Sequence, residues 1–261
     1  GMTAKRDATY ILGSVFAGIL IVLFLGPVCY VGLRSFWGVE GISFINYYDV
    51  FWAQSQYLLT FWRSLGMALC VGCGQLVVSV FAGYCFARFK FPGRDGIFFF
   101  LMILTVLPVQ VTLVPNYIML SRLGLLDSML GLILPLIFAP LGTFILRQSF
   151  ISIPDSIIDA AMLDGCSLGS IIVRIALPMN KSGLVCAFLL SFLDAWNMVE
   201  QPIAYLKDFY EYPLSVALAY VPPADAGLHM VCCVLAALPC LFLFAAFSQE
   251  LVEGIVLAEV K

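Results

Sequence analysis

The sequence predicts an all-α membrane protein with six transmembrane helices, and three observations carry that prediction. Hydrophobic residues make up 62% of the chain and charged ones only 11%, with a mean hydropathy of +1.04. A soluble domain does not have this balance. Five stretches, within 8–33, 64–87, 96–121, 128–146 and 226–249, are free of charge over the roughly 20 residues that a bilayer crossing needs. A sixth, about 183–206, is interrupted by Asp194 and Glu200 and is otherwise apolar. In chain order 183–206 is the fifth span and 226–249 the sixth; between the fourth and fifth lies Asp159 to Pro178 (DAAMLDGCSLGSIIVRIALP), the longest polar, helix-forming interruption in the chain. The whole of 1–261 reads as one transmembrane domain, with 149–181 as a loop between spans.

An even number of spans puts both termini on one side. With the N-terminus inside, Lys5, Arg6, Arg88, Lys90, Arg94, Arg147, Arg174, Lys181 and Lys261 are cytoplasmic, while Arg34, Arg63, Arg122 and Lys207 are outside. The positive-inside bias therefore places both termini, and the Asp159 loop, in the cytoplasm. The net charge of −3 describes no basic surface for nucleic acid. Gly1 before Met2 reads as a cloning remnant, and no cleavable signal peptide is expected.

The first span ends near Leu33. Arg34 to Trp62 follows as an outer segment holding Phe44, Tyr47, Tyr48, Phe51 and Trp52, residues that favour the headgroup level. The second span carries Ala68 and Gly72, then Ser79 and Gly83, each pair four apart, a spacing that lets helices pack closely in lipid. Arg88 to Asp95 (RFKFPGRD) is a compact basic turn broken by Pro92-Gly93. The third span contains Pro108, Gln110, Thr112 and Pro115. Its prolines kink a helix and free backbone carbonyls, which Gln110 and Thr112 either satisfy or leave as lining for a passage. The fourth repeats the pattern with Pro135 and Pro140. Of the nine cysteines, all but Cys166 fall in spans, where a thiol behaves as a small hydrophobe.

In the polar loop, Ile158, Ala161 and Met162 fall on one helical face with Asp159 beside them. Asp155 stands near the helix start, where negative charge suits the dipole. Gly165 takes φ > 0 and ends the helix. Ser167 caps a second short helix, which Pro178 stops. The product is a helix, a turn and a helix tethered at both ends to the membrane, a peg suited to a groove on a soluble partner. Asp159-Ala160-Ala161, Gly165 four residues on, and Ile175-x-Leu177-Pro178 starting ten later are spaced as in the EAA loop of bacterial ATP-binding-cassette (ABC) import permeases. The chain resembles that family, with Asp159 where it usually has Glu, so a salt bridge there reaches one methylene less far. Asp164-Gly165 and the flank Phe144 to Pro154 (FILRQSFISIP) resemble its sugar-uptake branch, the maltose permease G-type subunits, as do the basic turn and LPVQVTLVPNY of the third span.

The fifth span resembles the family in Trp196-Asn197. For a helix that starts near Gly183, Asp194 lies about 17 Å along it, near mid-bilayer, and Glu200 about 26 Å along. An unpaired charge at mid-depth costs several kcal/mol, so Asp194 faces a wet cavity or a partner, or is protonated. Asp194, Glu200 and Gln201 lie outside the family motif and are candidates for solute contact, with Trp196 offering a ring face to a sugar. A helix–helix hydrogen-bond network is the other reading of the same residues. Lys207 to Gly227 is an outer loop marked by Pro213 and Pro222-Pro223, and its YPLSVALAY portion is too short to span and lies at the interface. The tail after the sixth span matches the family's glycine-rich Ala-Val-Lys ending at Gly254, Val260 and Lys261 but departs at Ala258 and Glu259.

The resemblance implies a type I ABC importer permease fold with a cytoplasmic coupling helix, in a bacterial cytoplasmic (inner) membrane. Docking on an ATPase is then expected of Asp159, Ala160, Ala161, Met162, Leu163, Asp164 and Gly165. The candidate solute path is Gln110, Thr112, Asp194, Trp196, Asn197, Glu200 and Gln201. The implied partners are ABC ATPase subunits, a second permease, usually a different chain, and an extracytoplasmic solute-binding protein. No P-loop (G-x-x-x-x-G-K-[ST]) occurs in the chain, so ATP and Mg belong to the ATPase and no cofactor is expected here. Two other classes compete. An ion-coupled secondary transporter would use Asp194 as its proton or sodium site, but leaves the polar loop unemployed. A hydrolase would use Gly165-x-Ser167-x-Gly169 with Asp194 and His229. That elbow needs a strand before the serine, and the expected topology separates Ser167 from His229 across the bilayer.

Overall fold

Leu107 precedes Pro108, which clashes with a helical residue before it and has no N–H to donate. In the computed structural model Leu107 is extended (φ −65°, ψ 131°) and the chain breaks there into two helices. The structure describes the backbone of residues 2–38, 41–54, 56–221 and 226–259, and side chains of these between 13 and 254. The tail match at Val260 and Lys261 and the loop marker Pro222-Pro223 lie outside the described residues, as do the side chains of Lys5 and Arg6.

In chain order the elements are α1 (Met2–Ser35), a minimal antiparallel hairpin of β1 (Trp37–Gly38) and β2 (Gly41–Ile42), α2 (Ile45–Tyr48), α3 (Gln56–Arg88), α4 (Arg94–Val106) and α5 (Val109–Arg122). They continue with α6 (Met129–Ile137), α7 (Leu141–Ile151), α8 (Asp155–Leu163), α9 (Leu168–Ile171), α10 (Leu177–Met179) and α11 (Lys181–Trp196). The last are α12 (Glu200–Tyr205), α13 (Leu214–Ala217) and α14 (Ala226–Glu259). Four segments are long and apolar enough to cross a membrane: Gly13–Ser35, Gln56–Arg88, Met129–Ile151 and Ala226–Gly254. Two bent pairs raise the number to six among the described residues: α4 with α5, bent by 104°, and Leu168–Met179 with α11, bent by 85°.

Three expectations about these spans are corrected. The third is a broken helix rather than one kinked rod, and Pro115 sits inside α5 without ending it. The fifth does not run through to Glu200: α11 stops at Trp196, and Glu200 begins a separate helix after Asn197–Val199. Pro178 does not stop its helix either. Residues Ile172–Ala176 form a π-helical turn, with the Leu177 N–H reaching back to the Ile172 carbonyl, and the helix ends at Asn180. Pro178 has no N–H to give an α-type bond, and the wider turn places that missing donor where the chain tolerates it.

The chain divides into two compact units, residues 1–59 with 218–238 and residues 60–217 with 239–261. In the first, buried Ser35 donates to the Gly32 carbonyl at 2.6 Å and shares a 2.8 Å bond with the Tyr47 hydroxyl. The Asn46 amide donates to the Ser35 and Trp37 carbonyls at 2.9 and 3.1 Å. Phe44, Tyr48 and Trp52 stay exposed, the last two stacked at 5.9 Å. Exposed aromatic rings of this kind favour the headgroup level.

In the second unit, the small residues of α3 admit neighbouring helices as their spacing predicts. A Cβ on Gly72 would lie 2.8 Å from the Phe188 ring, and one on Gly83 would lie 3.0 Å from both the Arg147 amide nitrogen and the Leu146 Cβ. The core joins Tyr84 of α3, Leu146 and Phe150 of α7, Ile158 and Ala161 of α8, Ile171 and Ile172, and Cys186 and Ala187 of α11. YPLSVALAY is not an interfacial strip: Leu214 and Val216 are buried, and the Leu214 N–H donates to the Ser64 hydroxyl of α3 at 2.7 Å. Its short helix found a protein partner, which satisfies backbone that lipid could not.

Candidate functional site

Two sites take shape in the second unit, a projecting helix and a polar cleft. The projecting helix is α8. Ile158 and Ala161 turn into the core, while Asp159, Ala160, Met162, Leu163, Asp164 and Gly165 are exposed. One expected docking residue, Ala161, is therefore held by its own chain, while Met162, expected on the same helical face, points outward with the other docking candidates. Leu163 is 89% exposed at the tip. The helix closes on a Schellman motif, with Gly165 N–H to the Met162 carbonyl and Cys166 N–H to the Ala161 carbonyl, both 3.0 Å. Gly165 has φ +78°, where a side chain is strained. The Ser167 hydroxyl then accepts from the Ser170 N–H and starts α9. That is a structural duty, and the element before Ser167 is a helix rather than the strand a nucleophile elbow requires.

What fixes α8 is a residue that the sequence pattern put in an ordinary basic turn. Arg88, the last residue of α3, sends one guanidinium nitrogen to the Phe150 and Ile153 carbonyls at 2.6 and 2.5 Å and another to the Asp155 carboxylate. Its side chain is 11% exposed and that of Asp155 87%. Phe150 lies in the last turn of α7 and Ile153 just past its end. The Phe150 carbonyl also takes the Ile153 N–H at 3.3 Å, and the charged hydrogen bonds from Arg88, worth about 1.5–3 kcal/mol each, add to that closure. The exposed Asp155 pair adds at most about 1 kcal/mol. The carbonyl bonds dominate. Asp155 stands at the first position of α8, as expected from the dipole.

The cleft, about 360 Å³, forms where two helix breaks lie side by side. Its walls are Val109 and Gln110 from the start of α5, Asp194 and Asn197 from the end of α11, and Met198 to Gln201. The Gln110 amide donates to the Glu200 carboxylate across it at 2.6 Å. Asn197 folds back on its own helix, its backbone and side-chain nitrogens both donating to the Leu193 carbonyl at 3.0 and 2.9 Å. Of the seven residues expected along the path, five line this space: Gln110, Asp194, Asn197, Glu200 and Gln201. The other two do not. Thr112 donates to the Val109 carbonyl at 3.0 Å and serves its own helix. Trp196 is 4% exposed, stacked on Phe192 at 5.8 Å and edge-on to Phe61 at 5.9 Å, so its ring is core and offers no open face to a solute. Successive residues of a helix point about 100° apart, and Trp196 is turned away from Asp194 and Asn197.

Comparison with known proteins bears on the family and fold. Residues 75–255 match the family described as binding-protein-dependent transport system inner membrane component. The chain is 30% identical over 234 residues to the arabinooligosaccharides transport system permease protein AraQ of Bacillus subtilis, spanning 88% of this chain and 83% of that one. It is 34% identical over 146 residues to the sn-glycerol-3-phosphate transport system permease protein UgpE of Pectobacterium atrosepticum, spanning 56% of this chain and 52% of that one. A solved bacterial ABC transporter involved in the import of the acidic polysaccharide alginate contains a chain of the same fold. Its TM-score is 0.84 at 19% identity, covering 94% of this chain and 97% of that one.

Proposed function

This chain belongs to the family of binding-protein-dependent transport system inner membrane components, and from that premise we propose that it is the transmembrane subunit of an ABC importer for a sugar or related polar solute. The multi-pass chain sits in the bacterial cytoplasmic membrane, with both termini and α8 on the cytoplasmic side. Two ATPase subunits, a second and different permease chain, and an extracytoplasmic binding protein complete the machine. ATP and Mg belong to the ATPases, and this chain performs no covalent chemistry.

The observation that carries the reading is α8: a short helix projecting an apolar tip, rooted in the core by Ile158 and Ala161 and clamped at its base by Arg88. The exposed set Asp159, Ala160, Met162, Leu163, Asp164 and Gly165 meets the ATPase, and Ala161 supports it from behind. Closure of the ATPases on ATP moves α8 as a rigid body, and the bundle turns its cavity from one side to the other. The cleft residues Gln110, Asp194, Asn197, Glu200 and Gln201 supply donors and acceptors to hydroxyl groups along the path. The sugar class draws support from the relatives named for arabinooligosaccharides and sn-glycerol-3-phosphate.

The test is uptake by proteoliposomes that hold the complete complex and its binding protein, with ATP inside and a panel of neutral oligosaccharides and glycerol phosphodiesters outside. Uptake should stop when the ATPase is inactivated and continue when ionophores collapse the ion gradients. The reverse pattern would establish an ion-coupled carrier working through Asp194 and end the importer reading.

A further inference from the structure

The cleft and α8 are joined by one long helix. At one end of α3, Phe61 packs edge-on against Trp196 at 5.9 Å, and Trp196 is followed directly by the cleft residues Asn197 to Gln201. At the other end Arg88 holds the close of α7 and the first residue of α8. From Phe61 to Arg88 is about 40 Å of helix. Between them α3 is fastened along its length. Gln75 donates to the Ala139 carbonyl at 2.9 Å, and Gly72 and Gly83 admit Phe188 and Leu146 too closely for any larger side chain.

The covalent route from α8 to the cleft is not a continuous rod. It passes Gly165 at φ +78°, the π-helical turn Ile172–Ala176, and the 85° bend before α11. Each of these changes the course of the backbone, whereas α3 runs as one helix.

We propose that Arg88 is the positioning residue through which displacement of α8 reaches the cleft, with α3 rather than the α9–α11 connection as the transmitting element. The proposal rests on the reading of α8 as the face that meets an ATPase. Its physical content is that a guanidinium bonded at once to two main-chain carbonyls and a carboxylate fixes orientation as well as distance. A lysine in its place keeps the charge but is a point donor on a flexible stem.

The test uses the full complex in lipid nanodiscs with Val199→Cys as a reporter in the cleft. Alkylation of that cysteine by N-ethylmaleimide is followed by mass spectrometry at the residue, so the native cysteines do not interfere. With Arg88 intact, ATP and vanadate should change the alkylation rate. In Arg88→Met the change per ATP hydrolysed should shrink about tenfold, and Arg88→Lys should recover part of it. Phe61→Leu, at the far end of α3, should lose the change in the same way. A full ATP-dependent change in both Arg88 variants overturns the proposal. So does failure of both variants to assemble, which would make Arg88 a folding determinant only. Absence of any ATP response with Arg88 intact brings down the importer reading itself, and the proposal with it.

Discussion

Leu163→Ala isolates the tip of α8 from everything that holds the protein together. The residue is 89% exposed, so truncating it leaves no cavity in the chain and its thermal stability should not move. If the tip inserts into an apolar groove on an ATPase subunit, almost the whole side chain is available to be buried there. Leucine exceeds alanine by three carbons. At about 0.8 kcal/mol per buried carbon, complete burial is worth about 2.4 kcal/mol, or about 50-fold in Kd. The measurement is a titration of the purified ATPase onto the permease in nanodiscs, wild type against Leu163→Ala. Met162→Ala serves as a second truncation on the same exposed side. A Kd that does not change in either variant would refute the placement of this face against the ATPase, because no other term in the estimate depends on the rest of the fold.

Other outcomes follow from particular contacts. Gly83→Val should destabilise the protein by about 1–3 kcal/mol, read as a lower melting temperature in detergent, because the new atoms meet the Arg147 backbone and Leu146. Trp196→Ala should cost about 3–5 kcal/mol of stability, since the ring is packed between Phe192 and Phe61; an unchanged melting temperature with weakened solute affinity would restore it to the solute path. Glu200→Ala removes the acceptor of Gln110 from an exposed wall of the cleft. It should leave the melting temperature alone and shift the apparent affinity for the transported solute by about tenfold, checked by concentration-dependent uptake once the panel has identified that solute.

Much of this molecule was legible in its sequence where the physics is local. Charge-free length located the four spans and the bent third, and an interrupted apolar stretch the second bent pair, though not its bounds. The small-residue spacing of Gly72 and Gly83 foretold close helix packing, and Gly165 and Ser167 took the turn and cap expected of them. The errors share a cause. On a nine-residue helix one narrow stripe is covered by the chain itself, so Ala161, expected among the docking residues, lies inside with Ile158 while Met162 stays outside. Trp196 is aromatic and adjacent to polar Asn197, and only its neighbours Phe61 and Phe192, the former distant in sequence, decide that it is core. The Arg88 clamp joins residues more than sixty positions apart, and nothing about an arginine after a span separates a topological signal from a tertiary bond. Prolines located where helices could break, but Pro108 broke one and Pro115 did not, because only the first lies where the chain changes direction.

The side-by-side breaks that make the cleft have an energetic consequence. Main-chain ladders there have already ended, so widening the gap at its mouth severs no helical bond. What spans the mouth is the amide-to-carboxylate link between Gln110 and Glu200, with the Tyr205 hydroxyl donating to the Leu113 carbonyl further along the same two helices. A hydroxylated guest can offer Gln110 and Glu200 the same kind of partners they give up. On the proposed reading of the cleft as a solute path, entry and departure would be a swap of equivalents, nearly level in enthalpy, and a passenger would be held briefly without being trapped.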